Sequence, residues 1–340
     1  MPRWLRATLV VGAIGLAVFV LKGSLPDVDD VWGAMSGLQP AWLTVGIVAE
    51  IMSMNTFARL IRRLLTIGGT RVTFPRAVAV TYARNAVSNS LPAGQVVSIA
   101  YTTRQFARLG AATPLIAATL VLSALYSTAA FAVLGVVAVL GEPSIRTVAL
   151  FTLTAVALTV VVLVKVRPRG LAQRLGRRFP SMVGQLRSAR EAVRLARRDQ
   201  LILATLAMAN WLLDIACLAA VCAATGVHVR PQTVLLGYVA AKAAAVLLLI
   251  PGGLGIAEVG LAATLIGAGV GGGAAAAVVL LYRLISYWGV LLIGWAAWLL
   301  LLDGIRAHAV RAAQWVWGVY VQWGVSMNPC TLYGYRDLPH

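Results

Sequence analysis

Six ionisable side chains stand inside apolar stretches of this sequence: Glu50, Arg84, Asp214, Lys242, Glu258 and Arg283. Three are acids and three are bases. At the centre of a bilayer each costs roughly 2.5–3.5 kcal/mol, so six left alone would cost about 15–20 kcal/mol. That exceeds the stability of most folds. The six must pair or line a water-filled cavity. Mutual neutralisation, as buried glue, is the plain alternative. Their placement argues for more, because Arg84, Lys242 and Glu258 lie on two stretches broken by proline and glycine, where leucine would pack without penalty. Asn85, Asn89 and Gln95 add polar groups around the first break, Leu91-Pro92-Ala93-Gly94. At the second, Ile250-Pro251-Gly252-Gly253-Leu254-Gly255, the glycines are expected to allow close backbone approach. Tyr282, Arg283 and Tyr287, about one turn apart on the last apolar stretch, are candidates to face the second break, with ordinary packing the favoured reading for the tyrosines alone.

Other chemistries are poorly represented. Cys217 and Cys222 lie five residues apart, on different faces of a helix, and Cys330 is in the tail. His228, His308 and His340 are scattered, so no metal site and no cofactor is expected. No GxxxxGK[ST] phosphate loop occurs. Gly253 and Gly255 are followed by Glu258 where a dinucleotide fingerprint requires glycine.

The elements that must hold the six charges are set by composition. Of 340 residues, 60% are hydrophobic and 12% charged; mean hydropathy is +0.85. A soluble domain carries roughly 25% charged residues, so the chain is read as an integral membrane protein. Its 29 Lys+Arg against 11 Asp+Glu fit cytoplasmic loops facing anionic headgroups rather than nucleic acid.

The fold expected is all-α and polytopic, with about six long transmembrane helices and two broken or re-entrant helical hairpins. The long spans are read at about residues 7–21, 42–57, 114–140, 147–164, 201–224 and 274–302. The hairpins are read at 77–107 and 233–270, since backbone freed by proline at membrane depth needs protein or a wet cavity to satisfy it. Arg59, Arg62, Arg63, Arg71 and Arg76 after the second span, set against Asp27, Asp29 and Asp30 before it, put the N-terminus inside. The segment from Lys165 to Arg198 holds eleven basic residues and one acid, Glu191. It is read as a cytoplasmic amphipathic helix on the membrane surface, touching anionic headgroups. The first hairpin then opens from the cytoplasm and the second from outside, and the second half becomes the first upside down. Glu50 precedes Pro92 by 42 residues and Asp214 precedes Pro251 by 37. Residues 1–305 form the membrane domain, with inverted halves at about 1–142 and 143–305 and the basic segment at 165–199. Residues 306–340 form an aromatic cytoplasmic tail. Inverted repeats with broken helices are the architecture of secondary transporters.

The run from Asn85 to Gly94, then Pro251-Gly-Gly-Leu-Gly-Ile-Ala-Glu258, then Tyr282-Arg283 with Tyr287-Trp288, resembles the transmembrane flippase domain of bacterial lysylphosphatidylglycerol synthetases. The resemblance covers about residues 5–305. It implies a bacterial inner-membrane protein that moves an aminoacylated phosphatidylglycerol, or a related lipid, between leaflets. With 38 residues after Leu302, no synthase domain is expected, which makes a separate lipid-synthesising enzyme the natural partner. The chain is therefore read as a transporter and not an enzyme. Glu50 and Glu258 suit a cationic headgroup; Arg84, Lys242 and Arg283 suit its phosphate. The substrate path takes in these five with Asn85, Asn89, Pro92, Gly94, Asp214, Pro251, Gly252, Gly253 and Tyr282. The rival reading is a glycosyltransferase using a polyprenyl-phosphate sugar, with Asp29 and Asp30 as acids.

Overall fold

The computed structural model describes Gly33 and residues 37–90, 94–141, 195–247 and 255–301. Every regular element among these residues is helical. Four helices are long and apolar enough to span a bilayer: Pro40–Ile67 (α1), Thr113–Leu140 (α4), Arg197–Ala224 (α5) and the continuous rod Gly272–Leu300. The rod consists of α8 (Gly272–Arg283), one turn of π-helix (Leu284–Gly289) and α9 (Val290–Leu300). The spans read at 7–21 and 147–164, the acidic loop, the basic segment up to residue 194 and the tail lie outside the described residues.

Each expected hairpin is a pair of shorter helices. Phe74–Ser90 (α2) is followed by Gly94–Arg108 (α3), and Pro231–Leu247 (α6) by Ile256–Gly267 (α7). At 1.5 Å per residue the longest of these, 17 residues, reaches about 25 Å, short of the ~30 Å hydrocarbon core. The tips carrying Pro92, Pro251, Gly252 and Gly253 lie outside the described residues. Proline opens α1 and α6, where its missing N–H costs nothing. Two residues past the ends of α1, α3, α5 and α7, a glycine takes positive φ: Gly69, Gly110, Gly226 and Gly269. Each turn closes with a backbone bond to the carbonyl five residues back, as in Thr70 N–H to Leu65 O and Val227 N–H to Cys222 O, both 2.9 Å.

Burial runs against the soluble pattern. Along α3, Ser98 and Thr102 are fully buried while Val96, Val97 and Ile99 face outward. The inward hydroxyls donate to carbonyls of their own helix, Ser98 to Gln95 at 2.8 Å and Thr102 to Ser98 at 2.6 Å. An apolar exterior over an interior of self-satisfied hydroxyls fits hydrocarbon surroundings.

α1 and α5, each of 28 residues, pack antiparallel along their whole length. Gln39 N–H meets Ala224 O at 2.9 Å, Ser53 Oγ donates to Asn210 O at 2.9 Å, and Arg63 binds Asp199 at 2.5 Å. The other packings come in exchanged pairs. α2 lies along α9 as α6 lies against α4; α1 touches α2 and α4 as α5 touches α6 and α8; α3 rests on α4 as α7 rests on α8.

Candidate functional site

Asp214 sits midway along α5, 8% exposed. Two residues of α6 reach it because they are four apart and share a face. Tyr238 OH donates to Oδ2 at 2.6 Å, and Lys242 Nζ at 3.1 Å. On the other side Tyr282 OH, from α8, donates to Oδ1 at 2.8 Å. The Lys242 ammonium also lies 5.3 Å from the Tyr238 ring centre and 6.0 Å from that of Tyr282. Trp211 backs the cluster: its ring meets Tyr238 edge-on, and its N–H is held by the Ser127 carbonyl at 2.9 Å. Across the α1–α5 seam, the Glu50 carboxyl faces Asp214 and Lys242.

The second pair closes the return limb of the second hairpin. Glu258 lies in the first turn of α7, where a carboxylate also gains from the helix dipole. Arg283 Nε donates to its Oε1 at 2.5 Å, and the guanidinium rests 4.6 Å over the Tyr287 ring. Glu258 Oε2 is buried without a hydrogen-bond partner. Gly255, one residue before α7, has φ +86°, yet a Cβ there would touch nothing within 4 Å. Among the described residues no close approach occurs at Gly255; backbone conformation is what requires glycine there.

The first hairpin is built differently. Asn89 Nδ2 donates to Asn85 Oδ1 at 2.5 Å, and Asn85 reaches Met54 Sδ at 3.9 Å. Tyr287 OH donates to Asn89 O at 3.2 Å, and Trp295 Nε1 to Ser90 Oγ at 3.1 Å. Gly94 permits the sharp return, for a Cβ there would lie 2.3 Å from the Ser88 carbonyl. Arg84 stands on α2 with its guanidinium carbon 6.0 Å from the Phe57 ring. Its Nη1 is buried with no hydrogen-bond partner, and no ion pair reaches it among the described residues.

Four of the six membrane charges thus join as two pairs, Lys242–Asp214 and Arg283–Glu258, leaving Glu50 and Arg84 over. Tyr282 and Arg283 face the second hairpin's side of the site as expected, while Tyr287 reaches the first hairpin as well. Tyr238, Trp211 and Phe57 were not singled out from the sequence. Only Tyr238 had a usable signal, its spacing of four from Lys242.

A family model described as the lysylphosphatidylglycerol synthase TM region matches residues 7–294. The chain belongs to this family. The match takes in both hairpins and all six membrane charges, and it bears out the resemblance read from Pro251–Glu258 and Tyr282-Arg283. No curated protein matches the chain. Family and fold together make it a multi-pass membrane protein tied to lipid-related processes. The acids of the rival glycosyltransferase reading, Asp29 and Asp30, lie outside the described residues.

Proposed function

We propose that this member of the lysylphosphatidylglycerol synthase TM region family moves a phospholipid between the leaflets of a bacterial inner membrane, without catalysing a covalent step. The headgroup passes between the hairpins and the acyl chains stay in the bilayer. One observation carries the reading: Arg84 is a half-buried side chain on a broken hairpin whose Nη1 is buried and unpartnered, with no ion pair among the described residues. A cation at that depth is sustained only by an anion or water, and a lipid phosphate supplies an anion with the fork geometry guanidinium prefers. Lys242 and Arg283 are already engaged by acids, so Arg84 is the phosphate ligand and Phe57 its floor. The antiparallel α1–α5 pair, the exchanged packings and the matched glycine turns support an inverted repeat, the architecture that lets one half rock against the other. The proposed partners are membrane lipids, with anionic headgroups at the segment from Lys165 to Arg198, and a separate lipid-synthesising enzyme. The N- and C-termini are assigned to the cytoplasm on the arginine distribution.

The test is leaflet exchange of a fluorescent phosphatidylglycerol in proteoliposomes, read by quenching of the outer leaflet. Arg84→Gln is expected to slow exchange about 10- to 100-fold, the value of one charge-assisted hydrogen bond, with an unchanged or higher melting temperature. Full-speed exchange by well-folded Arg84→Gln protein would remove the phosphate role, and no exchange by the wild-type chain would remove the transport reading.

A further inference from the structure

The two acids facing each other across the α1–α5 seam are treated unequally. Asp214 receives Tyr238, Lys242 and Tyr282, which occupy both of its oxygens. Glu50 is 6% exposed, and its Oε2 is buried with no hydrogen-bond partner. The antiparallel α1–α5 register that joins Gln39 to Ala224 and Ser53 to Asn210 sets its carboxyl opposite Asp214. Two buried carboxylates placed together repel, and each can only accept hydrogen bonds. A proton on one of them relieves both.

Among the described residues, the surrounding groups supply no other neutralising charge. Asp214 and Cys217 face Glu50 from α5, Tyr82 from α2, Lys242 and Tyr238 from α6, and Tyr282 from α8. α4 and the π turn also pack on α1. Tyr126 of α4 belongs to the separate apolar cluster around Leu60, and Tyr287 of the π turn donates to Asn89. Lys242 is the cation of this set and is bound to Asp214. Two carboxyls and one ammonium leave a surplus negative charge in a buried site, and a charge so placed is neutralised rather than tolerated. A hard metal cation would need several converging oxygens, but Asp214 already accepts three hydrogen bonds, which leaves it room for one more donor and not for a cation. No cluster of metal-binding side chains occurs among the described residues. A proton needs one oxygen and one acceptor, which Glu50 and Asp214 provide.

We propose that Glu50 is a proton-binding site of the membrane domain. In the packed state its carboxyl holds the proton and donates it in a hydrogen bond toward Asp214. On release the proton passes to water and Glu50 becomes a carboxylate. Resting on the lipid-transport reading above, the bound proton is the ion that couples lipid movement to a pH gradient.

Infrared titration of the full chain in lipid decides the site without reference to transport. The wild-type protein is expected to show the C=O band of a protonated carboxylic acid at neutral pH, replaced by a carboxylate band on alkaline titration. In Glu50→Gln the neutral-pH band should be lost with the melting temperature retained, since the amide mimics the protonated acid. A band that survives in Glu50→Gln, or that is missing from the wild type, overturns the proposal. So does a Glu50→Gln chain that fails to fold, because a neutral group would then not be tolerated where the protonated acid is placed. Coupling is read separately, from the leaflet ratio of fluorescent phosphatidylglycerol in proteoliposomes under a one-unit pH gradient. One proton per lipid biases that ratio about tenfold; Glu50→Gln should abolish the bias, and a bias of wild-type size in Glu50→Gln overturns the coupling. An unbiased ratio in the wild type overturns the coupling. No exchange at all beside an intact infrared titration sinks the transport reading and upholds the proton site.

Discussion

In the first hairpin, α2 lies so close along α9 that a Cβ on Gly294 would fall 2.4 Å from the Tyr82 carbonyl and 2.6 Å from Ala86 Cβ. In the second, each limb is tied by a charge: Lys242 of α6 to Asp214, and Glu258 of α7 to Arg283. Tyr287 and Trp295 add neutral hydrogen bonds to the first hairpin; Tyr238 and Tyr282 add charge-assisted ones near the second. Similar helical shapes are therefore held by backbone packing in one half and by ions in the other. Among the described residues, the difference separates charges that anchor a hairpin from one that does not. The second hairpin spends its cations on its own anchoring, and the first, anchored without them, leaves Arg84 over.

The contrast can be broken most forcefully at Asp214. Asp214→Ala strands three donors, one of them a cation, and breaking a buried pair costs 3–5 kcal/mol. The low end, about 3 kcal/mol, is expected because the Lys242 side chain is 34% exposed. Thermal unfolding in detergent measures it, and adding Lys242→Met should recover part of the loss in a double-mutant cycle. Full additivity would mean the pair anchors nothing. Next comes the neutral side. Gly294→Ala must push α9 off α2 and should cost about 2 kcal/mol, within the range for overpacked cores; an unchanged melting temperature would dissolve the packing half of the contrast. The smallest effect is expected from Tyr282→Phe, about 1 kcal/mol, since Asp214 keeps two of its three donors. A loss as large as that of Asp214→Ala would make Tyr282, and not Lys242, the chief partner.

Much of the fold was legible because hydrocarbon imposes simple demands. Four long apolar runs appear as four long helices, three of them within a few residues of where hydropathy puts them and α1 running ten residues past the expected end at 57, and the proline-broken stretches separate into short limbs. Helix ends carried a further signal, since α1, α3, α5 and α7 all stop two residues before a glycine. The partnering of the charges was less legible. Topology puts both Arg283 and Lys242 near Glu258, yet Arg283 binds it and Lys242 binds Asp214. Which acid takes which cation depends on helix rotation within the bundle, and hydropathy barely constrains rotation where a helix is apolar all round, as α5 and α6 nearly are. Phe57 beneath Arg84 was invisible for the same reason: one phenylalanine on an apolar helix carries no mark of the face it presents. Gly255 was read correctly as a place needing glycine and for the wrong cause, because sequence does not separate a crowded backbone from a left-handed one.

The π turn at Leu284–Gly289 has a geometric consequence. Its bonds run to the fifth residue rather than the fourth, so it holds one residue more than an α-turn. Each residue of an α-helix advances the side-chain direction by about 100°. The extra residue is thus a phase slip within a straight rod. Before the slip, Tyr282 and Arg283 point to Asp214 and Glu258; within and after it, Tyr287, Gly294 and Trp295 meet the first hairpin. A single rod thereby meshes with two surfaces whose side-chain teeth are out of step. Deleting one residue inside the turn would close it into ordinary α-helix and keep both faces in phase, whereas deleting one anywhere else in the rod would swing one of them away.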